Sequence, residues 1–311
     1  MHTYGGTYFR LNTDIHVTAD EWVPIGLGEN WAPFHGNFDG GEHTISGVIK
    51  SNKYAYFGFF GYIYYSRISS LKIAATVKSE YSGTSDYEPT TGGIAGYCEG
   101  AIISNSHVTG NVTGGNTKEN EFVQPSETGG IVGFNWGNIT DCTVSSTITG
   151  GRSNRSSTGG ITGTNYGHIA NCTVAASGRV IGSGNSSEYV GGIVGIIFGS
   201  SILVSEISNC TNHATIISTG IGSYAGGLVG SNNPQGATIH TSLNTGNISG
   251  SGYVGGLVGG NVSYFSGSTY YGYVYSCCTN TGLVNGQPAT NANQIGYGGG
   301  VEPCPDGHTK R

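Results

Sequence analysis

Two groups of residues in this chain have types and spacings that could do chemistry. Asp39, Glu42 and His43 fall within the segment 34–47, and carboxylates beside a histidine are the parts of a general acid–base pair. The same stretch also reads as a turn. Asp39-Gly40 between Phe38 and Ile45 is a hairpin-like signal with His43 packed behind it, and that reading accounts for all three residues. The second group is Tyr264, Phe265, Tyr270, Tyr271 and Tyr273, set among Ser and Gly. Aromatics there can simply cover a coil edge. A tyrosine also offers a flat apolar face with a polar tip, which suits stacking on sugars. These five are the expected ligand-binding residues, and no catalytic residue is assigned.

Other chemistry is not spelled out. The chain has no G-x-S-x-G, Walker, HExxH, EF-hand or calcium-nonapeptide pattern, so no metal and no cofactor are expected. The seven cysteines invite a disulfide framework. Yet Cys142, Cys172, Cys210 and Cys278 share a slot with Leu71, Ser106 and Ser242 when the chain is aligned on its repeats. Stacked strands hold Cβ atoms about 4.8 Å apart, beyond the usual disulfide range, so free buried thiols are expected. Cys98, Cys277 and Cys304 remain unassigned, and Cys277-Cys278 makes no zinc motif.

The elements that must position these residues come from a repeat. G-x-x-G tetrapeptides begin at Gly58, Gly93, Gly130, Gly160, Gly192, Gly227, Gly256 and Gly296, spaced 29 to 40 residues apart. A period of this size means one supersecondary unit copied many times. Three residues before the Cys/Ser slot stand Ile68, Ile103, Ile139, Ile169, Ile207, Ile239 and Tyr275. Two after it come Ile73, Val108, Val144, Val174, Asn212, Asn244 and Asn280, and six after it Val77, Val112, Ile148, Ile216, Ile248 and Val284, with the Cys172 copy offset to Val180 or Ile181. Alternation at a period of two marks strands with one buried face. A strand over Asp141 to Ile148 and a shorter one over Gly130 to Phe134 follow, with the glycine pairs as tight corners.

The expected fold is therefore all-β: a right-handed parallel β-helix solenoid of about seven to eight coils, handedness resting on the parallel-crossover rule. It forms a single domain over 1–311, with 1–50 an opening coil or cap, 51–295 the repeats, and 296–311 a truncated last repeat and tail. The Asn run 212, 244, 280 should bond up its column and so offset its burial. Insertions at Glu80 to Thr90, Gly115 to Glu127, Gly151 to Ser157 and Val262 to Tyr273 should form surface loops. Asn-x-[Ser/Thr] triplets at Asn111, Asn138 and Asn171 are by-products of the ladder, the Asn-Cys-Thr ones placed on a strand.

Composition agrees. Gly is 57 of 311 residues and only 10% are charged, so long helices are disfavoured. Net charge is −6 with no Lys/Arg run, which excludes the basic footprint of a nucleic-acid partner. No segment is apolar enough to insert in a membrane. Met1 is followed by no secretory leader, and the chain starts and stops near repeat boundaries, so it is expected to be part of a longer one.

The stretch Gly-Gly-Ile-Val-Gly-Phe-Asn-Trp-Gly-Asn-Ile-Thr-Asp-Cys-Thr-Val at 129–144 resembles the GLUG motif. The opening resembles the segment that precedes such repeats, on Trp22, Pro24, Ile25, Gly26, Phe34, Gly36, Phe38, Asp39, Gly40, His43, Thr44, Ile45 and Gly47, with Glu42 where glycine is usual. The resemblance implies a bacterial extracellular or cell-surface protein, as in repeat regions of immunoglobulin A peptidases and gut-bacterial adhesin-like proteins. It transfers no catalytic residues. The expected function is a non-catalytic structural or adhesive module presenting loops to a host or matrix protein or glycan. The alternative is a polysaccharide-active β-helix enzyme, lyase or glycoside hydrolase, or its carbohydrate-binding part. A hydrolase would need two carboxylates about 5–9.5 Å apart. Ice binding through Thr rows is disfavoured, because outward positions mix Thr with Ser, His, Lys and Ala.

Overall fold

One middle coil shows how the repeat is built. Ser126–Gly129, Val132–Thr140 and Thr143–Thr149 are three strands that join a seven-stranded, a fifteen-stranded and a twelve-stranded sheet in turn. Each pairs in register with the coils before and after: Thr128 with Thr91 and Thr158, Ile139 with Ile103 and Ile169, Val144 with Val108 and Val174. Residues 6–18, 21–28, 32–83, 87–117, 125–184, 187–199, 205–233, 237–261, 263–265, 268–270, 273–274 and 277–304 are described by this computed structural model. Among them the strands pair in parallel throughout, apart from one antiparallel hairpin of Ser263–Phe265 with Ser268–Tyr270. The result is a parallel β-solenoid of about seven turns. Its one described helical element is the 3-10 turn Asn291–Asn293.

Each coil turns its aliphatics inward. Ile131, Ile139, Val144 and Ile148 are fully buried, each worth about 1.5–3 kcal/mol of transfer free energy. The aliphatic columns hold as expected, and Val180, not Ile181, fills the offset slot. One assignment shifts: Ile239 pairs with Val274, not Tyr275, and Val274 is the buried residue.

The glycine pairs do not form a strand of their own. They sit at the bend between two sheets, so each turn crosses three sheets and not two. The first tetrapeptide glycines have no positive φ, and what they need is room. A Cβ on Gly130 would lie 2.2 Å from the carbonyl oxygen of Gly160 and 2.8 Å from Val144. On Gly227 it would lie 2.4 Å from the Asn244 side chain. The glycine column thus faces the inward Val/Asn column across the solenoid and leaves it the space it fills.

The other corner explains why Cys and Ser interchange. Ser70, Asn105, Asp141, Asn171, Asn209 and Thr241 all have φ between 48° and 56°, the left-handed conformation that short polar side chains tolerate best. At five of the six the next residue then bonds back across the turn. Cys142, Cys172 and Cys210 donate their Sγ–H to the carbonyls of Thr140, Ala170 and Ser208 at 3.2–3.3 Å. Ser106 and Ser242 do the same at 2.8 and 2.9 Å. Thiol and hydroxyl are both small donors, so either closes the corner. Asn171 is therefore a corner residue, not a strand residue, and Asp141 likewise precedes its strand.

The thiols of Cys98, Cys142, Cys172, Cys210 and Cys278 are free and buried. Burial pushes those of Cys98 and Cys278 up to about 12. Cys277 and Cys304 form a disulfide.

The Asn column saturates its hydrogen-bonding capacity. Asn244 Oδ1 accepts from Gly246 N–H and from Asn212 Nδ2, while its Nδ2 donates to Gly246 C=O and to Asn280 Oδ1. That uses both donors and both acceptors of the amide. Asn280 likewise grips the N–H and C=O of Gly282.

Candidate functional site

The same device, turned to a second place, builds a trough on the outside. Asn135 faces inward, bonds both N–H and C=O of Gly137, and donates to Asn165 at 2.7 Å. Asn165 in turn donates to Gly167 C=O at 2.9 Å. Each inward amide folds its strand at the glycine two residues on. The two glycines stack so closely that a Cβ on Gly167 would lie 1.9 Å from Gly137 O. One coil earlier the strand is irregular between Glu99 and Ile102. Gly100, Gly137 and Gly167 therefore floor a groove. Glu99, Trp136 and Tyr166 wall one side and Asn138 and His168 the other, enclosing about 450 Å³.

Trp136 stands apart from the stacked rings beside it. Tyr97 and Phe134 stack at 4.8 Å with planes 4° apart, and Tyr166 and Phe198 at 4.9 Å and 11°. A second ladder, Tyr189, Tyr224 and Tyr253, stacks at 5.6 and 5.0 Å on the outside of the seven-stranded sheet. Rings stacked along the axis spend their faces on each other. Trp136 is turned 83° from Phe134 and 75° from Tyr166 and is 41% exposed. Glu99 is held at the rim by the Tyr62 hydroxyl, which donates to it at 2.5 Å. Burial, then that bond and the Glu99 charge, push the Tyr62 phenol up.

The residues singled out in the sequence are dispersed. Asp39 accepts from Gly41 N and Tyr8 OH, Glu42 pairs with Lys72 at 2.9 Å, and His43 meets Asp14 at 3.2 Å. The three do not converge. Nor is 34–47 a hairpin, because Asn37–Asp39 and Thr44–Ser51 belong to different sheets. The turn between them is a coil corner, with Gly41 and Glu42 both left-handed. Tyr264 and Phe265 lie on one strand of the antiparallel hairpin and Tyr270 on the other, while Tyr271 lies outside the described residues. Tyr273 is 49% exposed and belongs to the fifteen-stranded sheet, the sheet that carries the trough.

The trough went unread in the sequence, although its signal is there. Asn-Trp-Gly-Asn at 135–138 and Asn-Tyr-Gly-His at 165–168 each place an inward amide, an outward aromatic, a glycine floor and an outward polar wall. Two buried carboxylates also escaped notice. Glu188 accepts from the backbone N–H of Gly184, Thr219 and Gly220 and from Ser218 OH, all within 3.0 Å. Glu127 is 3% exposed and accepts only from Thr164, at 2.7 Å, with Oε2 unpaired. Burial, then the neighbouring Glu88 charge, push the Glu127 carboxyl well above its ordinary range.

Among the described residues no His, Cys, Asp and Glu group could hold a metal ion, and no helix is long and apolar enough to cross a membrane. Residues 89–113, 125–149 and 186–217 match the GLUG motif. None of the curated proteins compared with it matches the chain. Among solved structures, a candidate immunoglobulin A1 protease from Bacteroides ovatus aligns with a TM-score of 0.54 at 21% identity, over 87% of this chain and 78% of that one. At that identity the likeness is one of fold. The three GLUG-motif matches thus lie on stacked coils of a parallel β-solenoid.

Proposed function

We propose that the chain is a non-catalytic, extracellular structural and adhesive module that holds a host or matrix ligand on its outer surface. The observation that carries this reading is Trp136, turned out of the aromatic ladder beside a glycine-floored trough with Glu99, Asn138 and His168 on its walls. A concave site with an aromatic and a few convergent polar groups is the ordinary form of a ligand pocket. The Cys277–Cys304 disulfide supports an oxidising, extracellular setting. The Tyr-rich segment 264–273 is the competing seat of binding.

The hydrolase reading has one supporting observation, the raised Glu127 carboxyl beside Glu88. A general acid must touch the leaving group, and Glu127 is sealed between coils and bonded to Thr164. The test is to incubate the purified chain with immobilised polysaccharides and host proteins, immunoglobulin A and fibronectin included, following retention, new reducing ends and peptide cleavage. Retention without cleavage is expected. Cleavage abolished by Glu127→Gln would overturn the non-catalytic reading.

A further inference from the structure

The trough continues below its floor. Asn138 pairs in register with His168, His168 with Glu206, Glu206 with Thr238 and Thr238 with Tyr273. These five residues form one outward column that spans four strand spacings, about 19 Å along the solenoid axis. Glu206 is fixed midway, 2.8 Å from His240 Nε2 and 3.7 Å from His168 Nδ1. Trp136 lies at one end of this strip and exposed Tyr273 at the other.

We propose that the trough and this column form one binding strip for a linear, uncharged glycan lying parallel to the solenoid axis. The inference rests on the adhesive reading above and names its ligand class. One sugar stacks on Trp136 and bonds through its hydroxyls to Glu99, Asn138 and His168. The chain then runs over Glu206 and Thr238 and ends against Tyr273.

Three observations select this occupant. A peptide recognised as an added strand needs a free sheet edge, whereas a ligand along the axis crosses strands whose backbone groups are spent on neighbouring coils. It must be held through its own side groups, and a glycan carries hydroxyls on every residue. Second, the residues lining the trough include no Lys or Arg but do include Glu99, and the chain carries a net charge of −6, which disfavours polyanions. Third, carboxylate, amide and imidazole groups offer the mixed donors and acceptors that sugar hydroxyls use.

The experiment is calorimetric titration of the full chain with cello-, xylo- and malto-oligosaccharides from disaccharide to octasaccharide. Oligogalacturonides serve as the anionic comparison, and fibronectin and immunoglobulin A as protein comparisons. At least one neutral series should bind, tighten with length and level off once the oligomer spans the strip. Trp136→Ala should weaken every member of that series about tenfold or more, the equivalent of about 1.4 kcal/mol. Tyr273→Ala should weaken only the long members. Urea midpoints check that each variant folds, and His168→Ala replaces Trp136→Ala if that one does not. Binding of oligogalacturonides alone, or affinity untouched by Trp136→Ala, overturns the proposal. Binding only to the proteins overturns the glycan inference and leaves the adhesive reading standing. Binding to none of the probes sinks both.

Discussion

Asn244→Val is expected to lower the stability of the folded chain by about 3–4 kcal/mol, measured as a shift in urea unfolding at constant slope. The substitution is nearly neutral in volume and favourable in β-propensity, and Val occupies the same column at Val108, Val144 and Val174. Its cost is in hydrogen bonds. It leaves the N–H and C=O of Gly246 and an Nδ2 hydrogen of Asn212 without partners inside the core, and takes one of the two donors from the Oδ1 of Asn280. Each orphaned buried group costs about 1–3 kcal/mol, and burying a few extra methyl groups returns only part of that. Because the cost lies in stranded partners, the effects must not add. Replacing Asn212, Asn244 and Asn280 together by Val should cost clearly less than the sum of the three single changes. Additive losses would mean that the amides act independently and that the column is no ladder.

The two buried glutamates should respond in opposite directions. Glu188→Ala removes the acceptor for three backbone N–H groups and the Ser218 hydroxyl and is expected to cost about 3–5 kcal/mol. Glu127→Gln keeps an acceptor for Thr164 and removes a carboxyl that burial holds well above its ordinary 4.5. A carboxyl whose folded value is raised stabilises the fold fully below its unfolded value and loses that contribution as pH rises toward the folded value. Wild-type stability should therefore fall from pH 4.5 upward relative to Glu127→Gln, and the variant should be the more stable of the two at pH 7. Urea midpoints at pH 5 and pH 8 check the sign. A wild type that gains on the variant with rising pH would show that the carboxylate is paired and not stranded.

Much of the architecture could be read from the sequence because a stacked repeat writes each inward column several times over. Ile139, Val144 and Ile148 recur with their neighbours at fixed offsets, so strand phase and parallel register follow together. The Asn212, Asn244 and Asn280 run was legible for the same reason. Features fixed across the solenoid were not. The tetrapeptide glycines look like turn formers, yet Gly130 and Gly227 are required by what lies opposite, Val144 and Asn244, and no local pattern reports a distance across the core. Local conformation misled in the other direction at Asn171 and Asp141, where alternation suggested strand and a left-handed corner intervenes.

The site was less legible than the fold. Asn135 and Asn165 occupy a column that holds Ile63 and Cys98 before them and Ile197 between them and Asn232, so their shared role is apparent only once the coils are stacked. The trough then arises from an inward residue acting on an outward one, the Asn135 amide bending the strand at Gly137 beside Trp136. Glu127 and Glu188 sit within or beside loop segments of irregular length, where repeat alignment loses phase. Cys277 and Cys304 pair through a disulfide because neither belongs to the Cys/Ser column, whose stacking geometry argued against bridges.

The account places recognition on the trough and leaves the repeat interior as scaffold. Hydroxyl-radical footprinting of aromatic side chains, with and without the tightest-binding neutral oligosaccharide, tests that division most directly. Oxidation of Trp136 and Tyr166 is expected to fall on binding, while Tyr264, Phe265, Tyr270 and Tyr271 stay unchanged. Protection confined to those last four, with Trp136 oxidised as before, would contradict it.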